Sequence, residues 1–432
     1  MASLRAPAQD DEFRVYTEHP RLILTQQRLR LLKRERERDS ARWRQFDLLV
    51  KGNVSLPEPG FAFALYYAVS GDAAIGKRAV DWAIAPSNND LRQLALVYDW
   101  CQPILTPQQS AVIVGKLRGG HSEVRSSTPV RASDLAFAVI ATADDSSHRE
   151  EETLRELIQH AWRGEFAKSL ANGTETLQLP DIYQILELMH AVRDNLKIDL
   201  RDDAPEYFAH LPIQLVIANY PAPYRAPENE FRVPMYAGSG QPDLNRAALA
   251  RAAGLAMVAF DNNNLENQYL QGWLIQDRFS MMTQFGAPYE FLWANPYQPG
   301  LSFYHLPLVF HDPASGTLFV RSSWDDDADW FGLYAGEAER FHDGHASVMN
   351  LGASGSTKPA PLQLGDSSVV FGRVPFQFSM EGGMVLAIGL KPGQKYLVET
   401  DDEEMREIST DRAGTFVLQY PAERAAGIRV HE

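Results

Sequence analysis

The sequence predicts an α+β chain of more than one domain, helical first and β-layered afterwards. Three observations predict it. The chain has 432 residues, more than one ordinary core can hold. From about residue 21 to 295, apolar residues recur at helical spacing. From about residue 300 onward, short aromatic and β-branched runs alternate with Gly, Pro and Asp. Helices followed by strands argue for stacked helical and sheet domains, not an interleaved α/β sheet.

In chain order, "MASLRAPAQDDEF" lacks the apolar stretch of a signal peptide. Residues 1–20 are set apart as an N-terminal extension, either a cytoplasmic start or a start residue before a mature secreted chain. The helical domain is placed at 21–298. Its first segment, "LTQQRLRLLKRERERDSARWRQFDLLV", spaces Leu29, Leu32, Trp43, Phe46 and Val50 for helices behind a capping Thr25. The mixed-charge run at 34–39 reads as a solvated face. "FAFALYYAVSGD", "LRQLALVYDWCQPILTPQQSAVIVGKL", "DIYQILELMHAVRDNL" and "NRAALARAAGLAMVAF" continue the pattern, broken by short Gly, Asp or Asn stops. A succession of helical hairpins this long either closes into a ring or stays open as a solenoid. "PYQPG" at 296–300 marks a boundary. "GTLFVRSSW", "DWFGLYAG", "GMVLAIGL" and "GTFVLQYP" then read as strands of an antiparallel β-sandwich over 299–432.

Composition narrows the function. The net charge of −15 repels nucleic acid and anionic membrane. It also repels an acidic polysaccharide, unless cationic side chains are concentrated in one place. No apolar run approaches the ~20 residues of a membrane span. The single cysteine, Cys101, excludes an intrachain disulfide framework and reads as a small core residue. No Gly-rich phosphate loop, G-x-S-x-G elbow or H-E-x-x-H helix is present, so no cofactor is expected, with a structural divalent metal left as an open alternative. "RSSWDDDADW" (321–330) lacks the spacing of a calcium loop, and His342, Asp343 and His345 lack a nameable fourth zinc ligand.

Four strings, "HPRLILTQQRLRLL" (19–32), "LALVYDWCQPILTPQQ" (94–109), "RVPMYAGSG" (232–240) and "GTLFVRSSWDDDADWFGLYAGE" (316–337), resemble the heparinase II/III-like polysaccharide lyases. The resemblance runs through most of the chain and rests on architectural strings more than catalytic ones. It implies an incomplete (α/α) toroid followed by an antiparallel β-sandwich, with a cleft between the domains. It also implies β-elimination on a uronic-acid-containing glycan. That chemistry needs a cation, His or amide facing the substrate carboxylate, a Tyr or His to take the proton, and an acid for the leaving oxygen.

The family's His-x-His-x-Asp stretch corresponds here to Asp343-Gly344-His345-Ala346-Ser347, which keeps only the second histidine. His345 is therefore the leading imidazole. His342 joins it if the Asp-Gly turn brings the two rings together; otherwise both are solvated residues of a hairpin. Tyr236, in the Pro-aromatic-Gly loop, is the proton-transfer candidate, and Arg232 is placed to pair with a uronate carboxylate or to form a structural salt bridge. The family's polar residue opening a mid-toroid helix has no clear match; Asp181 and Tyr183 stand nearest, with Glu175 before them, and His190 reads as packed. Trp273, Tyr269 and Trp293 suit stacking on sugar rings or core packing.

The resulting expectation is a lyase-like protein acting on an acidic polysaccharide or oligosaccharide, without nucleic acid or membrane span, and periplasmic or secreted if a signal has been removed. Two alternatives stand beside it. One is a non-catalytic glycan-binding or scaffold protein on the same fold. The other is a glycoside hydrolase with paired carboxylates, Asp181 and Glu175 first.

Overall fold

The computed structural model describes residues 13–15, 18–119, 128–144, 148–174, 181–226, 230–236, 241–276, 281–351, 356–380, 383–401, 405–420 and 426–432. Helices run in the order α1 (Gln26–Glu37), α2 (Ala41–Lys51), α3 (Pro59–Ser70), α4 (Ala73–Ile84), α5 (Leu91–Trp100), α6 (Pro107–Gly119), α7 (Pro129–Thr142), α8 (His148–Glu156), α9 (Ala167–Ala171), α10 (Asp181–Leu196), α11 (Pro205–Ile217), α12 (Leu244–Phe260), α13 (Leu265–Gln276) and α14 (Gly286–Trp293). Among the described residues none is long and apolar enough to cross a membrane.

Two compact units make up the chain. The first comprises Met1–Lys168, Pro180–Pro205 and Ser280–Ala294; the second comprises Ser169–Leu179, Glu206–Phe279 and Asn295–Glu432. The change from helices to strands follows α14, while α12, α13 and most of α11 group with the strands.

The first unit is a two-layered helical body. Helices α3, α5, α7 and α10 pack side by side, α3 on α5, α5 on α7 and α7 on α10. Nearly every residue of α5 and α10 is buried, as expected of helices covered on more than one face. Helices α4, α6 and α8 lie against this layer, and α6 buries only Ile113 and Leu117. Local chemistry sets the helix starts: Thr25, Ser40, Asp72, Asp90 and Thr128 each accept a first-turn N–H. Cys101 is fully buried.

The second unit is built on strands. After a short hairpin of β1 (Tyr224–Arg225) and β2 (Glu230–Phe231), β3 (Val309–Asp312), β4 (Thr317–Arg321), β5 (Trp330–Tyr334), β6 (Glu337–His342) and β7 (His345–Met349) form an antiparallel meander in that order. They are followed by β8 (Leu362–Leu364), β9 (Ser367–Phe371), β10 (Phe376–Met380), β11 (Gly383–Ile388), β12 (Lys395–Thr400), β13 (Met405–Ser409), β14 (Phe416–Tyr420) and β15 (Ala426–His431). These make two four-stranded sheets, β14-β11-β9-β8 and β10-β15-β12-β13.

The two inner strands of the sheet β14-β11-β9-β8, namely β9 and β11, are covered on both faces and are buried almost throughout, whereas the edge strand β14 alternates buried with exposed residues. Along β11, Val385 and Ala387 enter a core with Phe378, Tyr396, Val398 and Ile428, while Leu386 and Ile388 enter another with Leu318, Val320, Phe331 and Leu333. Alternation along one strand thus serves two cores. The expectation of a purely antiparallel sandwich is corrected in one respect. Strands β9 and β11 run parallel, because the intervening β10 lies in the other sheet.

The second face of the β3–β7 meander is covered by the end of α11 and the segment after it. Trp330 Nε1 donates to the Ile217 carbonyl at 2.8 Å, and Tyr220 stacks on Phe341 with ring centroids 5.2 Å apart. This covered face carries the candidate site.

Candidate functional site

Within the second unit, Arg232, Trp273, Gln276, Phe303, Tyr304, Arg321, Trp324 and Asp326 line a recess of about 330 Å3. Much of that space is open to solvent; the enclosed part is about 30 Å3, room for only a few waters, so a larger ligand would lie against this surface and not inside it. Backbone proximity creates one wall. Gly272 in α13 lies against residue 301, and a Cβ there would sit 1.7 Å from the Leu301 carbonyl oxygen. The Leu301 N–H donates to the Gln268 carbonyl at 2.9 Å. This close approach sets Phe303 and Tyr304 beside Trp273 and Gln276, whose amide donates to the Tyr304 hydroxyl at 3.3 Å.

Strand β4 and the loop after it supply the opposite wall. Arg321, the last residue of β4, is 3% exposed. Its Nη1 donates to the Asn219 carbonyl at 3.3 Å and its Nε to the Ser323 carbonyl at 3.2 Å. The guanidinium lies 4.5 Å from the centre of the Trp324 ring, and the Trp324 indole N–H is fixed by the Leu306 carbonyl at 3.0 Å. Among the described residues Arg321 forms no ion pair. Burial, with the neighbouring Arg232 charge, pulls its pKa down to about 9. Arg232 donates to the Pro221 carbonyl, and both its terminal nitrogens lie 3.3 Å from Asp326 Oδ1. Two guanidiniums and one carboxylate leave the recess one positive charge in excess.

Tyr236 lies four residues beyond Arg232. Its backbone N–H donates to Glu339 Oε2 at 3.1 Å, and the Tyr220 hydroxyl donates to the same oxygen. Glu339 is 1% exposed. Burial pushes its carboxyl up to about 7, outweighing the two hydrogen bonds that favour its charge. The Tyr236 phenol is raised by burial and then by the Glu339 charge, so it keeps its proton at neutral pH. Gly332 leaves the space for this arrangement. It pairs with Glu339 across β5 and β6, and a Cβ there would meet the Trp330 ring at 2.4 Å and the Met235 sulfur at 3.0 Å.

The two histidines lie at the tip of the β6–β7 hairpin. His342 and His345 are directly paired across the strands, joined by Asp343 and Gly344 with φ of 49° and 76°, as a two-residue hairpin turn requires. Both are exposed. His342 Nδ1 meets Asp329 Oδ1 at 2.5 Å, and His345 Nδ1 meets the Asp343 carbonyl at 2.7 Å. Alternation along β6 puts Glu339 and Phe341 on one face and His342 on the other. The histidines are thus brought to each other, and they project from the face opposite the one where Glu339 holds Tyr236. Among the described residues no group of three or more His, Cys, Asp or Glu is placed to hold a metal ion.

Asp181 and Tyr183 belong to the first unit. Tyr183 is fully buried, and its hydroxyl donates to Glu187 at 2.5 Å and accepts the Trp293 indole N–H at 2.9 Å. Glu187 in turn receives Arg92 through Nε and Nη2 at 2.6 and 2.7 Å, and Arg92 Nη1 reaches Glu58 at 3.1 Å. Tyr183 and Trp293 are thus engaged in a buried network of the protein's own groups. Asp181 opens α10, half-buried, with its carboxyl raised by burial. His190 is buried against Trp293. Glu175 lies outside the described residues.

Of the residues singled out from sequence, the structure therefore gathers Arg232 and Trp273 around one recess, with Tyr236 on the same segment as Arg232. Sequence reasoning missed Arg321, Trp324, Tyr304, Asp326, Tyr220 and Glu339. A signal existed for two of them. Arg321 ends a strand, "TLFVR", whose five residues are all buried, and Glu339 occupies an inward position of "EAERFH". A charge where alternation demands an apolar side chain marks a special site.

No family model matches the chain, and no curated protein matches it significantly. Among solved structures, it is similar to heparan sulfate lyase HepC from Pedobacter heparinus, with 11% identity and a TM-score of 0.40 over 86% of this chain and 75% of that one. It is also similar to a glycoside hydrolase, with 7% identity and a TM-score of 0.33 over 97% and 77%. A third likeness is to the GH127 beta-arabinofuranosidase BT3674, with 8% identity and a TM-score of 0.30 over 98% and 80%. Likeness at this level carries no argument about the chemistry.

Proposed function

We propose that the protein is a carbohydrate-active enzyme of lyase type that cleaves an acidic glycan by β-elimination, with a uronate ring lying at the mouth of the recess of the second unit. One observation carries this reading. Two arginines and the aromatic side chains of Trp273, Trp324 and Tyr304 line one shallow recess open to solvent. A hexuronate presents matching groups, an anionic carboxylate and apolar C–H faces that lie against aromatic rings.

Beta-elimination requires the carboxylate's charge to be neutralised so that the adjacent proton becomes acidic. Arg321 and Arg232 supply that neutralisation in a site where a desolvated charge acts strongly. Tyr236, held protonated, suits donation to the leaving oxygen. His342 and His345, exposed at the hairpin tip, are the imidazoles available to a polymer. Asp181, half-buried at the start of α10, is left as the candidate of the first unit; Tyr183, expected from sequence to bind substrate, is instead buried with its hydroxyl taken by Glu187 and Trp293. Such a substrate fits a protein acting in the periplasm or outside the cell.

A second reading, glycan binding without turnover on the same fold, is favoured by one feature. The histidines project from the other face of the sheet from the Glu339–Tyr236 contact. Incubation with a panel of uronate-containing polysaccharides separates the two. The lyase reading predicts unsaturated ends absorbing in the ultraviolet, reduced at least tenfold in Tyr236→Phe. Binding without such absorbance supports the second reading, and new reducing ends without the chromophore point to hydrolysis.

A further inference from the structure

We infer that Asp326 is a built-in stand-in for the substrate carboxylate, engaging the Arg232 fork until the carboxylate of a hexuronate lying at the mouth of the recess competes for it. This deepens the preceding proposal and rests on its reading of the recess.

The two arginines are held very differently. Arg321 is fixed by strand β4, by two backbone carbonyls and by the Trp324 ring. Arg232 is held on one side by the Pro221 carbonyl, and on the other it faces a carboxylate from the loop between β4 and β5 that is 70% exposed. Both terminal nitrogens approach one oxygen, Oδ1, at 3.3 Å. A two-oxygen fork against a carboxylate is shorter, about 2.7–2.9 Å, and better aligned. The contact is long, single-oxygen and largely in water, the kind of ion pair that contributes little. Turning Asp326 outward exposes a group that water already reaches, so exchange for a ligand carboxylate costs little.

The neighbouring acids do not share this position. Asp325 is tied to Ser323, and Asp327 is exposed and does not line the recess. The consequence is selectivity. A neutral sugar gives Arg232 nothing in return for Asp326, whereas a uronate replaces one carboxylate by another and adds contact with Arg321. Asp326 thus weakens every ligand somewhat and neutral ligands most.

Calorimetric titration of the full chain tests this, with glucuronate, galacturonate and mannuronate disaccharides as probes and cellobiose as the neutral control. Asp326→Asn is compared with Asp327→Asn, which removes the same charge from an exposed position outside the recess. The expected result is that Asp326→Asn binds at least one uronate roughly two- to fivefold tighter than wild type, the scale of a released exposed ion pair, while Asp327→Asn matches wild type. If Arg321→Gln loses uronate binding but Asp326→Asn is unchanged, weaker, or no different from Asp327→Asn, the stand-in role is overturned and the recess reading survives. Uronate binding unaffected by Arg321→Gln, or no uronate binding by wild type and Asp326→Asn alike, overturns both.

Discussion

The backbone N–H of Tyr236 donates to Glu339 Oε2 at 3.1 Å, so the segment carrying Tyr236 and Arg232 is tied to strand β6 through a buried acid. That acid is held near neutrality, and its titration has a defined sign. With a carboxyl pKa raised from 4.5 to about 7 on folding, the folded chain binds the proton more tightly than the unfolded one. Stability from this group is present below about 4.5 and is lost as pH rises through 7. The loss is at most about 3 kcal/mol. Asp134 in the first unit, raised to about 7 by burial, adds the same trend, so the measurement is a difference. Urea unfolding between pH 5 and 8 should show wild type losing more stability than Glu339→Gln. Parallel curves for the two proteins would remove Glu339 from the account.

The network of the first unit is expected to be structural. Glu187 is fully buried and neutralises Arg92 through two hydrogen bonds. Removing one member leaves the other's charge buried, a cost of about 3–5 kcal/mol. Glu187→Leu should therefore lower the urea midpoint sharply, and the pair Glu187→Leu with Arg92→Met should recover much of the loss. A double variant no better than the single one would show that the ion pair is not what the helices depend on.

Gly272 predicts an effect on binding through the backbone. A side chain there meets the Leu301 carbonyl, so Gly272→Val should push residues 299–304 off α13 and carry Tyr304 away from Trp273. Overpacking of this kind costs about 1–3 kcal/mol. Uronate affinity should fall more than tenfold at a temperature where circular dichroism shows the variant still folded. Unchanged affinity would mean that this wall of the recess contributes nothing.

Much of the architecture was legible because it follows from periodicity and capping. Thr25, the helical spacing of α10 and the alternating strands all specify local structure through local chemistry. The parallel pairing of β9 with β11 was not legible, since it depends on which sheet β10 joins, a matter of packing between distant strands. The Asp-Gly turn marked a hairpin at His342 and His345 without deciding between converging rings and solvated ones, and the face on which they lie depends on β6 alternation, which Glu339 obscured by being a charge at an inward position. Arg232 and Trp273 could be named from their types. That they share a recess depends on Gly272 and Arg321, which act through contacts distant in sequence.

The most direct test of the central claim is the tryptophan fluorescence of the whole chain titrated with uronate oligosaccharides, since Trp273 and Trp324 both line the recess. A saturable change is expected with a uronate and none with the neutral sugar. Arg321→Gln should weaken the response by about 10- to 100-fold, as loss of a charge-assisted contact implies. A response of equal strength to neutral and acidic sugars, or one that Arg321→Gln leaves intact, would contradict carboxylate recognition at this site.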